Sequence, residues 1–443
     1  MKTKCICNFF LIAILLLFAG CGQKNETNIS DSTEIRMDTE KEKITLCSGA
    51  YGNYLKNLVS AYNQESKHYE IIVQTAGENE DVQTFRTRIQ AELTAGKGAD
   101  LLDVYALQNL DYVPYAQRGM FYEVSELIQE IGEIPENVKA CNQWEDGIYG
   151  VPTSFHMVGL SYVQDLNISP KTWTAQECMK VVEESKAPYF CARSKYMDTV
   201  DAGNYVLNLL GVGKQGIQLF IDEETGTCSF DTPEFKKILE FAKIHLDSGA
   251  TENDSSERLL SGETIFSDIL VGSFRSFWEI SFRCQGREQY IGYPSPNGEV
   301  YGIMARSLFI NVRTEHLEGV KDFLRYALSE KQQEKMVYEM DGYFPARQDV
   351  LKRLWKEAES ELRDTGYTTD LSGNKLYEPR LMTKEEEQIF WHMLDCSVPS
   401  SYMNVINNII CEETALFFTD KKDADQVASS IQSRVQNYLN EEK

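Results

Sequence analysis

Short apolar runs alternate along the chain with stretches whose apolar positions recur every three or four residues. Ile44–Ser48 (ITLCS) reads as a strand that ends at Gly49. Leu55, Val59 and Tyr62 follow at spacings of four and three, which predicts a helix over 52–64. Tyr69–Thr75 (YEIIVQT) reads as a second strand. Phe85, Ile89 and Leu93 then share one face of a helix over 81–95, stopped by Gly96 and Gly98. Asp100–Ala106 (DLLDVYA) is almost continuously apolar, the pattern of a strand buried on both faces. Such alternation predicts a parallel sheet with right-handed crossovers and ligands beyond the carboxyl ends of its strands. Those positions are Gly49, Ala50 and Tyr51 after the first strand, and Leu107, Gln108 and Asn109 after the third.

Further on, amphipathic helices are expected over 173–184, 198–210, 233–246, 315–328 and 331–339. Gly272–Glu279 (GSFRSFWE) behaves differently. Its three aromatics do not repeat on one face, and Gly, Ser and Arg interrupt them, so it reads as a strand-to-helix turn. Residues 363–380 fit no element and read as an insertion loop. Gly211, Gly213 and Gly216 match GxGxxG, but they follow the helix-like run YVLNLL and no strand. That context makes them helix stops and turns, not a dinucleotide loop.

The N-terminus breaks from this pattern. Lys2 and Lys4 precede an apolar run from Phe9 to Phe18, then the small residues Ala19 and Gly20, then Cys21. A positive start, a short apolar stretch and a small-residue cleavage site make a secretory signal over 1–20. The run is too short to span a bilayer as a helix, which takes roughly 20 residues. Residues 21–43 are polar, cannot bury enough surface to fold, and read as a flexible linker.

Composition narrows the function. At 443 residues the chain is long enough for two domains. Its net charge of −24 argues against nucleic acid, whose binding depends on cationic contacts. Eight of its 11 cysteines lie beyond the leader and linker, widely spaced and with no CxxC, which suits small buried side chains better than a disulfide framework. The five histidines are scattered without metal-ligand spacing, and no P-loop, HExxH or GxSxG is present. No catalytic residue, metal or cofactor is therefore assigned.

Two resemblances extend this reading. LFAGCG resembles the lipobox of bacterial lipoproteins, with Phe18 where Leu is usual. It implies acylation of Cys21 (palmitate among the lipids) and anchoring at the outer face of the cell membrane, where ATP and NAD are not at hand. The block RTRIQAELTAGKGADLLDVYALQNLDYVPYAQRGMFYEVSELI, with Asp100, Gly119 and Leu127, resembles the extracellular solute-binding proteins of carbohydrate ABC importers. Residues 148–160 (IYGVPTSFHMVGL), the Ser261–Thr264 segment, and the closing helices after Asn404 are similar to the same family. The resemblance implies an α/β fold of the two-lobe periplasmic-binding-protein type, with a ligand cleft between the lobes. Residues 44–152 and 262–311 would form lobe 1, and 153–261 and 312–443 lobe 2. Its implied function is capture of an oligosaccharide by hinge closure and delivery to an ABC permease, by a monomer that is not an enzyme. A peptide- or polyamine-binding protein and a surface glycoside hydrolase stand as alternatives. The expected contacts are Tyr51, Gln108, Phe155 and His156 at strand ends and hinge, Phe274, Arg275 and Trp278 in the aromatic cluster, and Tyr343 and Arg347 in GYFPAR. Phe274, Phe277 and Trp278 would offer flat faces to sugar rings, and Arg275 and Glu279 would bind hydroxyls. Burial in a core explains the same aromatics.

Overall fold

The computed structural model describes residues 40–49, 53–77, 80–104, 112–192, 197–213, 219–222, 225–246, 255–284, 286–339, 343–364, 382–400 and 405–441. The leader, Cys21, Tyr51, Gln108 and most of the expected insertion loop lie outside them. The compact unit is Lys41–Lys443.

Its central sheet is mixed. The strands run in the order Tyr69–Gln74, Glu42–Ser48, Leu101–Asp103, Gly298–Ile310, Gly150–Tyr162, Thr264–Val271, Tyr189–Cys191. The first three are parallel, as the alternating pattern predicts. The sheet then turns antiparallel, because Gly298–Ile310 runs against both Leu101–Asp103 and Gly150–Tyr162. Glu42 and Lys43 already belong to the first strand, so the linker ends earlier than its polarity suggests. Strand alternation splits the first lobe's apolar residues between two faces. Leu46 and Leu101 join one core, whereas Cys47 and Leu102 join a smaller one under the Val82–Thr94 helix. Both faces are covered, and this is why the third strand is so apolar.

Two 13-residue strands tie the cores together. Gly150–Tyr162 gives Val151, Phe155 and Met157 to the first core and Val158, Leu160 and Tyr162 to the second. It is buried along its whole length. Core membership departs from the expected split after residue 311. The helices Leu317–Ala327 and Glu330–Glu339 and the described residues between 344 and 394 contribute to the first core, whereas Val398 and the closing helices Val405–Phe418 and Ala424–Glu441 contribute to the second. Tyr62 shows the cause: its ring meets Phe323 edge-on at 5.1 Å, and its hydroxyl donates to Asp322 at 2.7 Å.

In the GSFRSFWE stretch Gly272 and Ser273 turn the chain from the Thr264–Val271 strand into a helix, and all three aromatics lie in that helix. Phe274–Arg283 forms a helix whose first turn is fixed by Ser273 and Ser276, each hydroxyl accepting from the other serine's backbone N–H. Gly211 and Gly213 both have φ of 84° just after the Thr199–Leu209 helix, as stop residues require. The eight described cysteines form no disulfide with one another; Cys47, Cys178, Cys191 and Cys284 are buried and the other four partly so. Among the described residues no helix is long and apolar enough to cross a membrane.

Candidate functional site

The parallel strands end in polar residues. Ser48 closes the first strand and Asp103 the third, and both are fully buried. The neighbouring Gly298–Ile310 strand carries Arg306 beside them, at a register shift between Arg306 and Ser307. A bulge re-aims the side chains around it. Here the Arg306 Nη2 donates to Asp103 Oδ2 at 2.8 Å, and the Ser48 hydroxyl donates to the same oxygen at 3.1 Å. The guanidinium carbon lies 5.8 Å from the centre of the Tyr54 ring. Both charges are out of water, Arg306 at 7% exposure and Asp103 at 0%. Burial opposes the guanidinium charge, but the adjacent carboxylate more than offsets it and leaves Arg306 firmly protonated.

The long Gly150–Tyr162 strand supplies the floor. The Thr153 hydroxyl donates to the Arg306 carbonyl at 3.0 Å, and Gln333 Nε2 donates to the Thr153 carbonyl at 3.0 Å. Two residues of the same strand beyond Ser154, His156 meets the Tyr343 ring edge-on at 5.3 Å. Burial alone pushes the His156 imidazole down to about 4, so it is neutral near pH 7. Among the described residues, the buried Ser154 Oγ and Ser307 Oγ beside this cluster find no hydrogen-bond partner. Unsatisfied buried hydroxyls are costly unless a ligand, a water or a change of conformation engages them. The cluster thus lies where the parallel strands end at Ser48 and Asp103, against the two long strands that carry residues of both cores.

Of the expected contacts among the described residues, the structure brings His156 and Tyr343 to this cluster. Phe155 and Phe274 are core residues that both pack on Phe344, with ring centres 5.5 and 5.2 Å away. Trp278 is 2% exposed in the same core, and Phe277 is fully buried there. The 10-residue helix explains the difference, since it turns all three aromatics inward and puts Arg275 outward. Arg275 Nε pairs with Glu279 at 2.8 Å on that exposed face. Arg347 is held by Asp349 and by the Leu328 carbonyl, at the start of the Gln348–Asp364 helix. Ser48, Tyr54, Asp103, Thr153 and Arg306 were not marked by motif or periodicity. For Asp103 and Arg306 the signal is charge in an apolar run: an Asp in LLDV and an Arg in IMARSLFI are buried only when paired. Among the described residues no group of three His, Cys, Asp or Glu could hold a metal ion.

Comparison with known proteins gives this geometry a context. Residues 57–362 match the family model of bacterial extracellular solute-binding proteins. No curated protein sequence matches the chain. Among solved structures, an ABC transporter solute-binding protein from Thermotoga lettingae bound with α-D-tagatose superposes with a TM-score of 0.56 at 16% identity, covering 90% of this chain and 100% of its own. The cyclic α-maltosyl-1,6-maltose binding protein from Arthrobacter globiformis gives 0.55 at 15% identity, with coverage of 90% and 100%. The sugar-binding protein MalE from Xanthomonas citri gives 0.58 at 14%, with coverage of 90% and 98%. At these identities the superpositions establish the two-lobe α/β fold.

Proposed function

The chain belongs to the family of bacterial extracellular solute-binding proteins, and from that premise we propose that it captures a saccharide in the cleft between its lobes and delivers it to an ABC permease. The observation that carries the reading is the polar cluster of Ser48, Tyr54, Asp103, Thr153, His156, Arg306 and Tyr343 where the two long strands change cores. A site with apolar walls and a few fixed polar groups suits a small, hydroxyl-rich molecule. The first lobe gathers around the core of Ile44, Leu101, Phe155 and Phe323, and the second around that of Leu160, Phe190, Phe266 and Ile410. Ligand contacts to both lobes favour the closed arrangement by the difference in affinity between open and closed forms. Binding requires no covalent step.

The neighbours named for tagatose, maltosyl-maltose and other sugars support a saccharide as ligand. Cys21 carries the lipid, and the polar linker lets a monomeric domain reach the permease from the membrane surface. A thermal-shift screen of mono- and oligosaccharides, peptides and polyamines tests the ligand class, and mass spectrometry of the recovered ligand tests for turnover. Stabilisation by saccharides that return intact is expected. Stabilisation only by peptides or polyamines would overturn the ligand class. Hydrolysis at enzyme-like rates would overturn the binding-protein reading.

A further inference from the structure

We infer that Asp103 is a specificity-determining residue, which cancels the charge of Arg306 and so makes the strand ends select an uncharged ligand over one bearing a carboxylate or an ammonium group. This rests on the cleft reading above. Arg306 and Asp103 are joined at 2.8 Å and are both withdrawn from water, so the pair meets a ligand as a dipole with no net charge. Ser48 binds the same Asp103 oxygen and fixes the carboxylate at the end of its strand. Among the described residues beside the pair, Tyr54, Thr153 and Ser154 are neutral hydroxyls, and Gln333 is a neutral amide. His156 is buried and uncharged near neutral pH.

A carboxylate brought to this place would need a free cation, and Asp103 has already taken the one available among these residues. An ammonium group would need a free carboxylate, and Arg306 has taken that. Either charged ligand would lose its hydration without compensation. A neutral polyol loses less and gains hydrogen bonds. Asp103 therefore acts through Arg306, as a positioning residue: it sets both the guanidinium's orientation and the sign of the site. Replacing it with an amide leaves a buried cation whose natural partner is an acid.

The test compares matched ligands on the intact domain. Calorimetric titration and thermal shift are run with a panel of neutral oligosaccharides and their uronic-acid counterparts. The parent, Asp103→Asn, Asp103→Glu and the charge-balanced Asp103→Asn/Arg306→Gln double variant are each measured. The parent is expected to bind neutral members and to ignore uronates. Asp103→Asn should shift the uronate-to-neutral affinity ratio by at least tenfold towards the uronates. Asp103→Glu should restore the parental ratio, and the double variant should prefer neutral ligands again. If Asp103→Asn is too unstable to titrate, the Glu and double variants still decide the matter, since a uronate preference in either contradicts charge cancellation. A parent that binds uronates as well as neutral sugars, or an unmoved ratio in Asp103→Asn, overturns this inference and leaves the saccharide reading intact. Binding of neither sugar set by the parent overturns the saccharide reading itself.

Discussion

Two side chains on neighbouring segments show how burial decides a residue's role. His156 is 2% exposed, and burial holds its imidazole at about 4 against the ordinary 6.5. Above pH 6.5 it is neutral folded and unfolded, and pH has no leverage through it. Between 6.5 and 4 the unfolded chain takes up a proton that the fold refuses, so stability falls as pH falls. The full effect, reached below pH 4, is about 3 kcal/mol. His156→Gln should therefore lose less stability than the parent between pH 6.5 and 4, as measured by urea unfolding at a series of pH values. Parallel pH profiles for the two proteins would show that the imidazole titrates normally. Trp278 illustrates the opposite outcome for an expected ligand contact. Its indole sits in the core with Phe277 and Phe274. Trp278→Ala should remove about 3–5 kcal/mol of stability, while ligand affinity of the folded fraction stays within twofold of the parent. Weakened binding at an unchanged melting temperature would return Trp278 to the cleft.

At the scale of elements, the helices and the parallel strands were legible because each has one dominant period. Asp81, Thr174, Asp198, Thr232 and Thr383 cap helices by accepting backbone N–H bonds, and the first four of these open helices that periodicity alone locates. The Phe274–Arg283 helix was hidden because its aromatics, close in sequence, face a core assembled from Phe344, Trp355 and Phe390 far along the chain. The allocation of residues after 311 was equally invisible, since it depends on long-range contacts such as the one between Arg325 and Glu130. The Asp103–Arg306 pair spans 203 positions, and no local spacing connects them. The long strands also carry tight packing that sequence does not announce. At Gly159 an added Cβ would lie 2.6 Å from Tyr301 Cδ1 and 3.3 Å from the Ile291 carbonyl. Tyr301 is itself buried on the antiparallel partner strand. Gly159→Ala should destabilise by about 1–3 kcal/mol through overpacking, read as a lower urea midpoint. An unchanged midpoint would mean that the two crossing strands separate without strain.

On the proposed reading, a lipid anchor at Cys21 and a polar linker carry the two-core domain, and each joint makes a measurable claim. Cys21→Ser should move the protein from the membrane to the soluble fraction or leave the leader uncleaved; persistent membrane fractionation with a normally acylated N-terminus would remove the anchor from Cys21. Within the domain, the strands Gly150–Tyr162, Gly298–Ile310 and Thr264–Val271 carry residues of both cores, so the proposed hinge closure would proceed by small changes along them. A ligand held by both lobes must bind the closed form better than the open one, and at 100 times its Kd it adds about 2.7 kcal/mol to unfolding. Closure also draws the two cores together. Saturating saccharide should therefore raise the melting temperature and reduce the radius of gyration measured by small-angle X-ray scattering in the same buffer. The two readings separate alternatives that either alone would confuse. A higher melting temperature at constant radius of gyration would mean that the ligand rests on one lobe, and hinge closure would then not be how this protein holds its solute.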